Sequence, residues 1–382
     1  MALNIKDLCI NDCFGCAVCA KVCPKHIIEV RLNKDGFFQP QISSVVNCIK
    51  CGLCVDVCSF YNEGVALVAQ QVNAFAGWSN DVAVRQKCSS GGVGFELARV
   101  ALSLGYKVCA VRYDVDQNVA EHYIATTVEQ LNESVGSKYI QSNTLIGMRQ
   151  IDPNDRYIVF GTPCHIDSFR RYLRKIRKED NFILVDFFCH GVPSYLLWYK
   201  YLDHIKDRIG EIKRVKWRDK KDGWHDSWAM DIQGGTGHLY IKMSDGDLFL
   251  KTFLSDSCLS KACYDNCKFK YSKSSGDIRI GDAWGRLYRN NSQGVSAVVC
   301  FSKKGLSLLK QSNCRIIKHD FEQIAEYQMK ENARRPLIYP YVQQLLRCNE
   351  PLNIRRLRLL LYIHTICRFP KRIITKGTKI LR

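Results

Sequence analysis

Residues 12–24 read D-C-F-G-C-A-V-C-A-K-V-C-P, and residues 47–59 read N-C-I-K-C-G-L-C-V-D-V-C-S. Cys13, Cys16, Cys19 and Cys23 stand as C-x2-C-x2-C-x3-C-P, and Cys48, Cys51, Cys54 and Cys58 repeat the spacing with Ser59 in place of the proline. Three thiolates two residues apart wrap one face of a small inorganic cube, and Gly15 and Gly52 let the backbone turn tightly between them. A zinc knuckle needs four ligands, commonly as two C-x2-C pairs from distant places, rather than eight in this order. A disulfide framework suits a small secreted domain, which a chain of 382 residues without an apolar leader is not.

The run is that of bacterial two-cluster ferredoxins, in which the fourth cysteine of each run crosses to the other cluster. Cys13, Cys16, Cys19 and Cys58 are therefore expected to hold one 4Fe-4S cluster, and Cys23, Cys48, Cys51 and Cys54 a second. Such clusters pass single electrons. A chain that stopped at Cys58 would be a carrier, whereas some three hundred further residues imply a second redox centre.

The remaining sequence bounds the possibilities. Twenty cysteines without an export signal point to a reducing cytoplasm, and Met1-Ala2-Leu3-Asn4 leads into a polar stretch. No run of eighteen apolar residues is present, so nothing is expected to span a membrane. The net charge is +19, with basic stretches at 170–178 and after Glu350, where no acidic residue follows. Acidic electron carriers and anionic lipid suit such a surface. Charge alone gives only non-specific nucleic-acid binding, and no nucleic-acid motif accompanies it, so nucleic acid is not an expected partner.

Along the chain, residues 1–62 form the ferredoxin-type domain, and 63–72 are a short link. Strand, turn and helix then alternate between about 73 and 210. Expected strands are 74–78, 106–113, 122–126, 157–160 and 182–188; expected helices are 95–104, capped by Ser90, one beginning near His165, and 195–209. This alternation argues for an α/β domain with some parallel pairing, whose ligands gather at strand ends. Short strands fill 213–251, a strand at 277–284 turns at Gly281, and a strand at 295–301 precedes a helix at 303–309. A basic helix over 354–369 is expected to end before Pro370, with its polar residues scattered round the wheel. The fold class is thus α+β or α/β: a ferredoxin-like domain, a mixed α/β core with a first region at 73–150 and a second at 151–330, and a basic helical tail at 331–382.

Beyond the ferredoxin run, Ser89-Ser90-Gly91-Gly92 before a helix is a candidate phosphate cradle, because helix N-termini present unpaired N–H groups. Gly136-Ser137-Lys138-Tyr139 would add a cation and a ring. Cys164 and Cys189 stand at strand ends, and Cys263 and Cys267 follow as C-x3-C. These four could supply a third cluster, with Cys258 as the substitute. Cys88, Cys109, Cys300, Cys314, Cys348 and Cys367 read as small buried apolar residues.

G-T-P-C at 161, C-H-G-V-P at 189, W-R-D-K with G-W at 217–224, D-I-R-I-G-D-A-W-G at 277–285, S-S-G-G at 89 and G-S-K-Y at 136 together resemble the coenzyme F-420 hydrogenase/dehydrogenase beta-subunit family, over nearly the whole chain to about residue 300. The resemblance implies FAD in the α/β core and iron-sulfur clusters beside it. It raises Ser89, Ser90, Gly91, Gly92, Ser137, Lys138, Tyr139 and Thr162 to flavin contacts, and Cys164, Cys189, Cys263 and Cys267 to ligands of the third cluster. His190 and Asp282 are the candidate proton donors. An FAD-dependent iron-sulfur oxidoreductase follows, fed by ferredoxin or another low-potential donor, with an organic substrate. Family members of this layout also occur beside surface-polysaccharide genes, and the basic tail would suit work at a membrane periphery. The positive stretch at 170–178 is either a dock for an acidic ferredoxin or a solvated helix face. The rival readings are a relay subunit without its own substrate, a cluster-bearing assembly or sensing protein without flavin, and a deazaflavin oxidoreductase.

Overall fold

The computed structural model describes residues 4–8, 13–66 and 72–377, without the side chains of 7, 8 and 368–377. Residues 1–3 and 9–12, half of the expected link (67–71) and the chain end beyond 377 lie outside the described residues.

Fourteen strands form three sheets among the described residues. β1 (Ile28–Leu32) and β2 (Phe38–Ile42) pair antiparallel within the spacer of the cysteine runs. A nine-stranded sheet takes β3 (Asn73–Ser79), β4 (Lys107–Asp114), β5 (Val119–Ala125), β6 (Ser142–Asn143), β7 (Tyr157–Phe160) and β8 (Phe182–Phe187) from the first half of the chain. A smaller antiparallel sheet follows, β9 (Ile212–Lys216), β10 (Ala229–Gly234) and β11 (His238–Lys242). β12 (Ile278–Asp282), β13 (Ser296–Cys300) and β14 (Cys314–His319) then return to the large sheet, whose order is β14-β3-β13-β12-β8-β7-β4-β5-β6. Its centre, β12-β8-β7-β4, is parallel, and its flanks are antiparallel except for the short terminal pair β5-β6, which is parallel. One sheet therefore runs across residue 150, so the two core regions share a single scaffold.

The central strands are apolar on both faces because both faces are covered. Tyr157, Val159, Phe182 and Leu184 face the helix Pro163–Lys175 and the ferredoxin module, while Ile158, Ile183 and Val185 face the helices Val93–Ser103 and Lys303–Gln311. A separate core joins the helix Tyr195–Ile209 to the smaller sheet and the C-terminal helices.

Several expectations need correction. Gly281 lies inside β12 rather than at a turn, and a helix, Leu248–Leu254, replaces the last expected strand. The helix after Ser90 is not capped by that serine: its N-cap is Gly92 at φ 86°, and the Ser90 hydroxyl donates to the Val295 carbonyl (2.9 Å). Cys348 and Cys367 are exposed, and Cys88 and Cys314 only half-buried, so the apolar reading holds for Cys109 and Cys300. The C-terminal helix continues through Pro370 to Gly377. It buries Leu357 and Leu361 while exposing Leu359, Tyr362, Ile363 and Ile366, so two apolar faces explain its lack of a single polar one. No helix among the described residues is long and apolar enough to cross a membrane.

The basic stretch at 170–178 is the largest departure. Arg170 is fully buried. Its guanidinium donates to the Ser275 carbonyl, to Glu179 and to Asp277 (2.9 Å), while Asp277 also accepts from the Leu184 N–H (2.8 Å) and the Ser302 hydroxyl (2.7 Å). Arg171 pairs with Asp167, Arg174 with Glu179 and Lys175 with Asp56. The sequence shows a charge run; the fold spends much of it on internal pairs. Removing one partner of a buried ion pair leaves an uncompensated charge, so Arg170→Ala should cost about 3–5 kcal/mol in denaturant unfolding, with Arg174→Ala, at a half-exposed pair, costing about 1 kcal/mol or less.

Candidate iron-sulfur and flavin site

The two cysteine runs surround two hollows. Cys13, Cys16, Cys19 and Cys58 line the first with Phe14, Gly15, Ser59 and Ser168. Cys23, Cys48, Cys51 and Cys54 line the second. The crossing of the fourth cysteines expected from the spacing is thus the grouping that the fold produces. Among the described residues no three His, Cys, Asp or Glu side chains converge on the point a single ion would occupy; the thiols instead ring the hollows. Gly15 (φ 67°) and Gly52 (φ 75°) adopt the left-handed turn the spacing needs.

Burial pushes the Cys16 thiol up to about 11, with Cys58 adding to the effect, and holds Cys19 well above its ordinary range beside Cys16, Cys13 and Cys58. Bare thiolates so close together in low dielectric repel one another. Iron, which binds the thiolate form, supplies the compensating positive charge. The donor sets therefore fit cubane clusters.

The module is clamped to the core by side chains from both strand and helix ends. Gln141 accepts from the Phe38 N–H (2.7 Å) and donates to the Phe14 carbonyl (3.3 Å). Thr144 donates to the Cys16 carbonyl (2.8 Å). Ser168, on the helix Pro163–Lys175, accepts from the Ser59 N–H (3.0 Å) and the Cys16 thiol (3.3 Å). Ser59, which stands where the first run has proline, donates its hydroxyl to the Cys164 carbonyl (3.0 Å). The Lys268 ammonium donates to the carbonyls of Ser59 (2.9 Å) and Phe60 (3.2 Å).

Cys164 and Cys189 follow the neighbouring parallel strands β7 and β8, which carry them to the same sheet end. Cys263 lies in the helix Lys261–Asp265, with Cys267 just beyond it. Cys164 is close enough to Cys189, Cys16 and Cys263 for each thiolate to raise its proton affinity, and Cys263 is likewise affected by Cys189 and Cys267. Burial, the largest cause, pushes Cys263 up to about 12. The Lys270 ammonium donates to the carbonyls of Cys189 (2.7 Å) and His190 (2.9 Å). The four thiols thus neighbour one another and the first hollow. Cys258 is fully buried, with its thiol turned to the Thr252 carbonyl (3.7 Å), outside this group. Thr162 joins it, within 3.2 Å of the Cys164 sulfur.

Ser89, Ser90, Gly91 and Gly92 lie at the end of the sheet where β3 finishes and β13 begins. The Ser89 hydroxyl accepts from the Ser137 N–H (2.9 Å), which brings the two expected segments together. Gly91 passes so close to Gly77 that an added Cβ would lie 2.3 Å from its carbonyl oxygen. The helix Val93–Ser103 starts here without a side-chain cap. Three cations surround the turn. Lys138 donates to the carbonyls of Ser134, Val135 and Gly136; Lys220 to those of Ser90 and Gln293; and Arg85 to the Gly294 carbonyl. None of the three forms an ion pair among the described residues. Burial pulls Lys138 down to about 7 and Lys220 to about 8, in each case with the Cys88 thiolate opposing the shift. An uncapped helix start beside cations that lack acids fits a bound phosphate group.

Tyr139 stacks on Trp228 (5.3 Å), and its ring is 5.5 Å from Phe253, which in turn lies 5.1 Å from the His190 ring. An aromatic row thus runs from the Cys189–His190 turn to the G-S-K-Y segment. His190 pairs with Asp256 (2.7 Å). Asp282 accepts from Arg218 (2.8 Å) on one oxygen and from the Trp224 indole (2.9 Å) on the other. With both oxygens engaged, Asp282 acts as an anchor for Arg218, which lies 5.0 Å from the Trp228 and Trp284 rings.

Ser168, Arg85, Arg218 and Lys220 escaped the sequence reading. The W-R-D-K segment already contained two of them. Ser168 and Arg85 carry no local signal, since their partners are 109 and about 200 residues away.

A cysteine-rich module clamped onto an α/β core defines an iron-sulfur electron-transfer class of oxidoreductase. Residues 12–61 match the 4Fe-4S dicluster domain, residues 74–146 match "Coenzyme F420 hydrogenase/dehydrogenase, beta subunit N-term", and residues 154–322 match the C terminus of the same subunit. The chain belongs to the coenzyme F420 hydrogenase/dehydrogenase beta-subunit family. Among solved structures, a chain of the xenon-derivatised F420-reducing [NiFe] hydrogenase complex from Methanosarcina barkeri is similar at 14% identity and a TM-score of 0.48, over 75% of this chain and 90% of that one. No curated protein matches.

The clamp makes a direct prediction. A Cβ on Gly15 would lie 2.2 Å from both the Phe38 carbonyl oxygen and the Gln141 amide nitrogen, whereas one on Gly52 meets nothing within 4 Å. Both substitutions carry the backbone cost of a positive φ. Gly15→Ala should therefore destabilise the protein by about 1–3 kcal/mol more than Gly52→Ala in denaturant unfolding, because only the first overpacks.

Proposed function

We propose that this protein is an FAD-dependent iron-sulfur oxidoreductase that accepts single electrons at its ferredoxin module and reduces or oxidises an organic substrate at the core. The observation that carries the reading is the contiguity of the cysteine groups on a core that holds a cationic cradle: Ser168 and Ser59 join the first group to Cys164, and Cys19 of the first neighbours Cys54 of the second. Cys13, Cys16, Cys19 and Cys58 would hold one 4Fe-4S cluster, Cys23, Cys48, Cys51 and Cys54 a second, and Cys164, Cys189, Cys263 and Cys267 a third. When bound, the clusters supply one-electron transfer and the flavin supplies the exchange between single electrons and a hydride.

The chain's own residues would do the rest. Ser89, Ser90, Gly91, Gly92 and Ser137 would hold the flavin's phosphates with Lys138 and Lys220. Tyr139 would offer a ring face, and Thr162 would position Cys164. Ser168 would donate its hydroxyl to the Cys16 sulfur once that thiol ligates iron, which favours the reduced form. His190, oriented by Asp256, would hold or deliver a proton near Cys189, while Asp282 keeps Arg218 in place.

The donor would be ferredoxin or another low-potential carrier. Surface-polysaccharide assembly is the setting proposed for the substrate, and the deazaflavin coenzyme named by the family is the second substrate reading. A relay subunit of a larger redox complex is the remaining alternative. The outward face of the C-terminal helix, Leu359, Tyr362, Ile363 and Ile366 beside arginines, suits peripheral contact with anionic lipid.

Anaerobically purified protein reconstituted with FAD should contain about twelve irons and one flavin per chain, and Cys164→Ala with Cys263→Ala should lower the iron to about eight without loss of the remaining clusters. Eight irons in the unsubstituted protein would remove the third cluster, and the absence of flavin after reconstitution would remove the flavoenzyme.

A further inference from the structure

The structure points to a docking surface away from the basic helix at 170–178. That stretch offers little free charge: Arg170 is fully buried, and Arg171, Arg174 and Lys175 are held in ion pairs, which leaves Arg177 and Lys178 beyond the helix end. The second hollow differs. Among the twelve cysteines of the three groups, Cys51 alone is exposed, while the first hollow borders Ser168 of the core, and Ser59 beside it bonds to Cys164. The second hollow is therefore the end of the row that a partner reaches.

Its rim has the make-up of a transient protein interface. Val45 (48% exposed), Val46 (95%) and Ile49 (57%) stand out on the loop that leads into and through Cys48. Apolar side chains grouped at a surface are a common mark of association. Lys25 and Lys50 are exposed beside them, and neither makes an ion pair among the described residues. The two segments that build the rim, 13–28 and 36–55, contain no acidic residue in sequence. An apolar centre with a basic rim around the most accessible thiol group suits a partner with the opposite charge.

We propose that the Val45–Cys51 loop, with Lys25, is the docking site of a small acidic electron-carrier protein. The inference rests on the reading of the second hollow as a cluster site, because it is there that the carrier would hand over one electron and be oxidised by one. The apolar residues would give the contact its short-range fit, and the lysines would steer the encounter.

The experiment uses the full-length, iron-loaded protein with an acidic bacterial two-cluster ferredoxin as probe and basic cytochrome c as the charge control. Two variants are compared with the unsubstituted chain, Val46→Glu/Lys25→Glu and Val45→Glu/Lys50→Glu, and iron content is measured in every sample. Calorimetric Kd should rise about tenfold or more for ferredoxin in each variant that keeps its iron, and the second-order rate of reduction by reduced ferredoxin should fall in parallel. Bleaching by dithionite should stay the same, and the unsubstituted protein should lose affinity for ferredoxin with added salt. Unchanged ferredoxin affinity in the iron-replete variants, salt-independent binding, or tighter binding of cytochrome c would overturn the docking site. Failure of the cluster reading shows separately, as unsubstituted protein without iron.

Discussion

The arrangement depends on a clamp of polar contacts between the ferredoxin module and the edge of a mixed sheet. Gln141, Thr144 and Ser168 reach out from the core to the backbone and thiol groups of the first cysteine run, and Ser59 reaches back to Cys164. Each bond is ordinary, worth about 0.5–1.5 kcal/mol net in isolation. Their joint effect is positional: they set the first hollow against the Cys164 group. They act together with the apolar core that the module shares with the helix Pro163–Lys175 and the neighbouring strands, and they fix which thiols meet.

The sheet explains why those cysteines meet. Parallel neighbours β7 and β8 deliver residues from two turns about 25 positions apart to one end of the sheet. The antiparallel flanks bring β3 and β13 beside the Ser89–Gly92 turn, so the cationic cradle is assembled from segments more than two hundred residues apart. Buried ion pairs such as Arg170–Asp277 and Arg279–Asp186 lock the strands from within. Removing one partner of such a pair leaves the other charge uncompensated in low dielectric, which makes the scaffold intolerant of single changes at those positions.

Much of this was legible in the sequence for a simple reason. Thiolate spacing is a local code, and the grouping of Cys13, Cys16, Cys19 and Cys58 follows from it directly. The strand-helix alternation likewise gave the parallel centre of the sheet, and the helix at Tyr195–Ile209 falls where apolar periodicity puts it. What failed depended on distant partners. The charge run at 170–178 reads as a surface until Asp277 and Glu179 are in place. Ser90 looks like a cap until Val295 claims its hydroxyl, and Asp282 looks like a proton donor until Arg218 and Trp224 occupy both of its oxygens. Pro370 suggests a helix end by its missing N–H, yet the helix passes through it.

The most direct test of the account is the low-temperature EPR spectrum of the fully reduced, reconstituted protein. Clusters held by a rigid clamp in one row should give dipolar-broadened, mutually interacting signals, and loss of the Cys164 group by Cys164→Ala should simplify the spectrum to that of the ferredoxin pair. Separate, non-interacting signals that are unchanged by the substitution would contradict the account, because the module and the core would then not be held against each other.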